Sequence, residues 1–249
     1  MNALETRKLN KSFGNLVVAQ DISLALPTGA RHALIGPNGA GKTTLINLIT
    51  GALKPDAGEI FLGGREISGL TGNARVKRGL GRTFQINTLF ASLTPLESVA
   101  LAVCERLEVT GNWLASLARR RDAIQEAFEL LSRLGLADNC SKPTRELAYG
   151  QQRLLEIALA LAGQPRVLLL DEPAAGVPTS ESTALFDAIA ALPEAISVLF
   201  IEHDMNIVFT FARRITVLVQ GRVLTEGPPD EIARSREVRA VYLGGGKHG

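Results

Sequence analysis

The stretch Gly36-Pro37-Asn38-Gly39-Ala40-Gly41-Lys42-Thr43 constrains this 249-residue chain more than any other, because it joins an apolar run, Arg31 to Ile35, to a helical pattern, Lys42 to Thr50. Strand, GxxxxGK[ST] loop and helix make a phosphate cradle. Its glycines let backbone N–H groups converge on phosphate oxygens, and the helix N-terminus adds positive potential. Leu45, Ile46, Leu48 and Ile49 supply the apolar face of the helix. Lys42 is placed to neutralise the β and γ phosphates of ATP, Thr43 to offer its hydroxyl to Mg²⁺, and Thr44 to add a phosphate contact.

A second feature fits the first. Val167-Leu168-Leu169-Leu170 is an apolar strand ending in Asp171-Glu172, which puts two carboxylates at the C-terminal edge of a sheet, where open α/β folds bind ligands. Asp171 suits the Mg²⁺ shell and Glu172 suits activation of the attacking water. Strands are also expected at Val17 to Leu26, Ser197 to Ile201 and Ile215 to Val219, with helices near Ser180 to Ala191 and Asp204 to Ala212. Such alternation predicts an α/β fold with a largely parallel sheet covered by helices.

Between these parts the pattern changes. Thr94, Pro95 and Glu97 announce a helix running through Val103, and Ile124, Phe128 and Leu131 mark another between Ala118 and Leu134, stopped by Gly135. The middle of the chain therefore reads as an inserted α-helical subdomain. The length allows one compound domain, and a net charge of +2 gives no general reason to expect nucleic acid as a partner. Cys104 and Cys140, without metal or redox spacing, read as buried thiols. No apolar stretch approaches the ~18 to 20 residues that span a bilayer, so a cytoplasmic chain is expected, with membrane contact only through partners. Arg75, Lys77, Arg78 and Arg82, and Arg119 to Arg121, read as solvated basic faces, with contact to lipid or membrane subunits as the alternative.

A third element sets the class. Leu147-Ala148-Tyr149-Gly150-Gln151-Gln152-Arg153 precedes the helical run Leu154 to Ala162 and comes shortly before Asp171-Glu172. In that place and order the sequence resembles the ABC ATPase family, whose LSGGQ signature opens a helix and contacts the γ-phosphate held by the opposite subunit. The resemblance implies phosphate contacts from Ala148, Gly150 and Gln151. It also implies adenine stacking by Phe13, sensing of Mg²⁺ and the attacking water by Gln85, and γ-phosphate contact by His203. It further implies an α/β P-loop NTPase (RecA-like) core with the antiparallel β part of that family and an inserted α-helical subdomain. One ABC ATPase domain then spans 1–249, with 1–85 and 154–249 as catalytic core and 86–153 as the helical subdomain carrying the signature.

Within the family, Gly81-Arg82-Thr83-Phe84-Gln85, Asp171-Glu172-Pro173-Ala174-Ala175-Gly176, Ile201-Glu202-His203-Asp204-Met205 and Tyr242-Leu243-Gly244 are similar to the longer ATPase subunit of branched-chain amino acid type importers. The partners this implies are transmembrane permeases, a second ABC ATPase subunit and, indirectly, a solute-binding protein, on the inner face of the cell membrane. Ile86 to Phe90 and neighbouring helices are the expected docking groove. A lipid or polysaccharide exporter ATPase is the alternative. A soluble ABC ATPase of translation or DNA maintenance fits less well, since the chain has neither a second cassette nor a long coiled coil. Two departures stand out: Ala148 occupies the place of the signature serine, and Pro178 falls near the aspartate of the D-loop. Both belong to the half serving the partner's ATP, which favours a heterodimer with unequal sites over a homodimer.

Overall fold

Leu168 and Leu170 face one apolar cluster while Val167 and Leu169 face another, which is why the run Val167–Asp171 shows no polar side. The same division recurs at Ala33 and Ile35 against Leu34, and at Val198 and Phe200 against Leu199 and Ile201. A sheet buried on both faces needs apolar residues at every position.

The computed structural model describes residues 1–83, 89–108 and 121–243. Its strands are β1 (Asn2–Phe13), β2 (Leu16–Pro27), β3 (Arg31–Ile35), β4 (Ala57–Leu62), β5 (Arg65–Glu66), β6 (Leu80–Arg82), β7 (Val167–Asp171), β8 (Ser197–Ile201), β9 (Arg214–Val219) and β10 (Arg222–Gly227). The helices are α1 (Lys42–Thr50), α2 (Gly72–Val76), α3 (Pro95–Arg106), α4 (Arg121–Arg133), α5 (Tyr149–Ala162), α6 (Thr179–Ala190), α7 (Met205–Phe211), α8 (Pro229–Arg234) and α9 (Arg236–Leu243). One sheet has the order β10-β9-β3-β8-β7-β6, parallel except for the β9/β10 hairpin. The other, β2-β1-β4-β5, is antiparallel. Helix α1 lies in the cluster between the two sheets, and α3 to α7 contribute to the cluster on the far face of the parallel sheet.

Strand β1 escapes a pattern reading for a physical reason. Its register shifts between Thr6 and Leu9, and Lys8 takes φ 45°, so inward positions do not keep a period of two. Helix α3 forms as its sequence demands: Thr94 Oγ1 accepts from Glu97 N at 3.2 Å, and Glu97 Oε2 accepts from Thr94 N at 2.8 Å, a complete capping box. Arg119 and Arg120 lie outside the described residues. The expected division after Arg153 falls inside the continuous helix α5. Cys104 and Cys140 are buried and free.

Arg75 requires a correction. Rather than a solvated cation, it is 1% exposed and donates to Leu48 O, Ile49 O, Ser68 O and Leu70 O at 2.6 to 3.0 Å. It caps the C-terminal carbonyls of α1, where positive charge is favoured.

His32, fully buried on β3, lies with Nε2 2.7 Å from Thr216 Oγ1, whose hydroxyl donates to Glu226 Oε2 at 2.8 Å. The carboxylate takes the hydroxyl proton, so Nε2–H donates to Thr216. Burial pushes the imidazole from 6.5 down to about 4, with Glu226 opposing and Arg214 assisting. Unfolded His32 thus binds its proton first as pH falls. Stability is lost between about 6.5 and about 4, by up to about 3 kcal/mol. In urea titrations from pH 7 to 4.5, His32→Gln should lose less stability than the parent; equal losses would clear His32 of the effect.

Candidate functional site

The loop between β3 and α1 closes around its own lysine: Lys42 Nζ donates to Gly36 O at 2.8 Å and Pro37 O at 3.1 Å. Lys42 is buried, and desolvation pushes its ammonium down while Glu172 and Asp171 pull it back up. Gly41 has φ 99°, and a β-carbon there would stand 2.6 Å from Val18 O, so β2 presses directly on the loop. Asn38, Gly39 and Thr43 are exposed, Pro37 and Thr44 partly so, and Gly36 and Ala40 are buried. Phe13, at the end of β1 and 53% exposed, is free of the core, with Lys11 Nζ 5.5 Å from its ring centroid.

Parallel pairing of β7 between β6 and β8 brings the acids to the same edge. Asp171, 3% exposed, accepts from Arg82 Nη2 at 3.2 Å, and Arg82 Nη1 donates to Asn47 Oδ1 at 2.8 Å. Burial pushes the Asp171 carboxyl up while Arg82 opposes. Arg82, expected on a solvated face, is thus part of the site. Glu172 takes φ 49°, a conformation rare for a residue with a β-carbon, and its N–H continues the ladder to Ile201 O at 3.1 Å. The turn delivers its Oε1 to within 2.7 Å of His203 Nε2. The loop, Asp171, Glu172 and His203 therefore converge, all at C-terminal ends of the parallel strands.

Glu202 has no role in the sequence reading. Buried to 5% exposure, it accepts from Ala174 N at 2.9 Å and His203 N at 3.2 Å, fastening the loop after Glu172 to the backbone of His203. Burial pushes its carboxyl up, and the two N–H donors oppose. Its only signal is a charge directly after an apolar strand.

The stretch from Ala148 to Gln151 stands apart from this group: among the described residues no hydrogen bond or ion pair joins it to residues 36–44. Ala148 is the N-cap of α5 and Gln151 Oε1 accepts from its N–H at 3.2 Å, but the Ala148 methyl can accept nothing in return. Arg153 Nη2 donates to Tyr149 Oη at 2.9 Å. Gln85 lies outside the described residues.

A phosphate loop after β3, paired acids at the end of β7 and a separate helix N-terminus preceding them in sequence accord with the comparison of sequences, in which a family model described as ABC transporter matches residues 19–175. The chain belongs to the ABC transporter ATPase family. A model described as branched-chain amino acid ATP-binding cassette transporter matches residues 222–248 of this ABC ATPase. The high-affinity branched-chain amino acid transport ATP-binding protein LivG of Salmonella typhimurium is 40% identical over 248 residues, 97% of each chain. The lipopolysaccharide export system ATP-binding protein LptB of Acidithiobacillus ferridurans is 37% identical over 242 residues, 97% of this chain and 96% of that one. The crystal structure of an ABC transporter's ATP-binding cassette in its ADP conformation superposes with a TM-score of 0.87 at 29% identity, covering 98% of this chain and 99% of that one. The α/β P-loop fold and ATP hydrolysis coupled to transport follow.

Glu202→Gln replaces an acceptor-only group by one whose amide NH₂ must face an N–H donor, at a cost of about 1 to 3 kcal/mol. ATP turnover should fall roughly tenfold with the KM for ATP nearly unchanged, since the phosphate loop is untouched. Steady-state kinetics decide this; a lowered melting temperature with unaltered kcat would leave Glu202 a purely structural role.

Proposed function

We propose that this chain is the ATP-binding and ATP-hydrolysing subunit of an importer, powering uptake of branched-chain amino acids or related small polar or aromatic-acid solutes through separate permeases. The Glu172–His203 pair beside the lysine loop supports the catalytic part most directly. The model match at residues 222–248 and the LivG relative support the importer part. The LptB relative keeps an exporter as the second reading. Residues 1–249 act as one ATPase domain, peripheral on the cytoplasmic face; among the described residues no helix is long and apolar enough to cross a membrane.

In this reading residues 36–41 wrap the phosphates and Lys42 exchanges its carbonyl partners for β and γ oxygens. Phe13 offers its exposed ring to adenine. Asp171 and the Thr43 hydroxyl form a hard-oxygen set that suits Mg²⁺, which would supply charge screening when bound; Thr44 contacts phosphate and Gln85 completes the shell. Among the described residues no group of three His, Cys, Asp or Glu could hold an ion alone, consistent with a metal that shares its shell with phosphates. Glu172 accepts a proton from the attacking water as its oxygen bonds to the γ-phosphorus and the bond to the β-γ bridging oxygen breaks. His203, whose Nε2 lies 2.7 Å from Glu172 Oε1, exchanges that carboxylate for the γ-phosphate when ATP is bound.

Ala148, Gly150 and Gln151 would face the phosphate of a second ATPase subunit, a heterodimer being favoured by the missing hydroxyl at Ala148. Coupling to permeases is assigned to the cavity of about 500 Å³ lined by Val76, Leu89, Phe90, Leu101, Ala102 and Leu159, with Phe90 71% exposed. Ile86 to Thr88, expected in the same groove, lie outside the described residues.

Glu172→Gln should retain ATP while turnover drops by about 10² to 10⁴; undiminished hydrolysis would remove Glu172 from the mechanism. In proteoliposomes with this chain, a second ATPase subunit and branched-chain amino acid permeases, a solute-binding protein should be needed for ATP-driven leucine uptake. Export of an amphiphile without such a protein would favour the second reading. Inactivating each composite ATP site in turn should give unequal losses, and equal losses would refute the asymmetry.

A further inference from the structure

Helix α5 begins without a side-chain cap, and the group nearest its first turn is an acid from elsewhere in the chain. A β-carbon built on Gly150, the second residue of α5, would stand 2.5 Å from Glu181 Oε2 and 3.5 Å from Glu181 Cδ. The Glu181 carboxylate therefore lies beside the first turn of α5; among the described residues it accepts from none of that turn's N–H groups, and no cation pairs with it.

Its position has a cause in Pro178. Glu181 is the third residue of α6, the place from which a carboxylate normally reaches back to the N-cap N–H, as Glu97 does to Thr94 N at 2.8 Å. The N-cap of α6 is Pro178, which has neither that N–H nor a side-chain acceptor, and the helix has no side-chain cap bond. The backbone half persists, since Glu181 N donates to Pro178 O at 2.8 Å. The carboxylate is left to seek positive potential elsewhere. The uncapped N-terminus of α5 provides it.

We propose that Glu181 sets the phosphate affinity of the 148–151 segment, occupying by its own charge the helix N-terminus that a second subunit's ATP must approach. This rests on the reading of Ala148 to Gln151 as phosphate-facing. A γ-phosphate brought to Gly150 meets a like charge and must displace it, a penalty that salt screens. Glu181→Gln removes the charge. Pro178→Asn restores an N-cap N–H and acceptor, drawing Glu181 back into a capping box without changing its charge.

The test uses the full chain with Glu172→Gln to block hydrolysis, following ATP-induced self-association by analytical ultracentrifugation in 50 and 300 mM salt. In a pair of copies each ATP faces this chain's own 148–151 segment. Glu181→Gln and Pro178→Asn should each lower the ATP concentration for half-maximal association by about threefold or more, with the gain shrinking at high salt. Glu181→Asp, which keeps the charge one methylene shorter, should fall between. Equal midpoints in parent and variants, with melting temperatures unchanged, would overturn the role of Glu181. A gain from Glu181→Gln alone would overturn the part given to Pro178. Absence of association in every form, despite ATP binding, would overturn the claim that the Glu181 charge is what limits phosphate binding at 148–151, whereas failure of the chain to associate with a second ATPase subunit in ATP would sink the phosphate-facing reading itself.

Discussion

Strands β3, β7 and β8 bury both faces, so polar chemistry can appear only where they end. Apart from Arg31, His32 and Ser197 at their starts, these strands turn polar at the C-terminal edge: the loop of Gly36 to Lys42 after β3, Asp171 and Glu172 at the end of β7, Glu202 and His203 after β8. Parallel register then makes neighbours of residues far apart in sequence, with Asp171 paired to Ile201. The site follows from burying the sheet twice over.

At that edge each charged group already has a protein partner. Lys42 holds carbonyls of its own loop, Arg82 holds Asp171, and His203 holds Glu172. Desolvation works against the ionised forms of Lys42, Asp171 and Glu202 alike, so unpartnered charges there would be costly. In the proposed reaction these partners give way to phosphate oxygens, a metal ion and water. Glu202, by contrast, accepts from the backbone N–H groups of Ala174 and His203 and so braces the backbone beneath the Glu172–His203 pair.

The legible parts were those whose information is local. GxxxxGK[ST], the apolar runs of β3, β7 and β8, and the Thr94-Pro95-Glu97 start of α3 each carry their structural cause within a few residues. Strand β1 was opaque because its register shift at Lys8 depends on what its neighbours tolerate. Arg75 read as a surface cation because its partners, the last carbonyls of α1, lie 26 and 27 positions away. Glu202 carried no role and Arg82 read as a solvated cation, since what they hold, Ala174 N and Asp171, is placed beside them only once β6, β7 and β8 lie side by side.

Ala148 and Pro178 look independent as substitutions and are linked in the fold. One removes the side chain that would cap α5, the other removes the N–H that would occupy the acid of α6. Glu181, standing between the two helix starts, is free to serve the first because the second cannot hold it. A helix N-terminus offers a limited positive potential, and an anion from the same chain uses what a phosphate would otherwise find. The half of the molecule around Lys42, Asp171 and Glu172 keeps its partners exchangeable. In the proposed heterodimer the half around Gly150 is met by a charge of the wrong sign, so the two ATP sites would differ by electrostatics as much as by one absent hydroxyl.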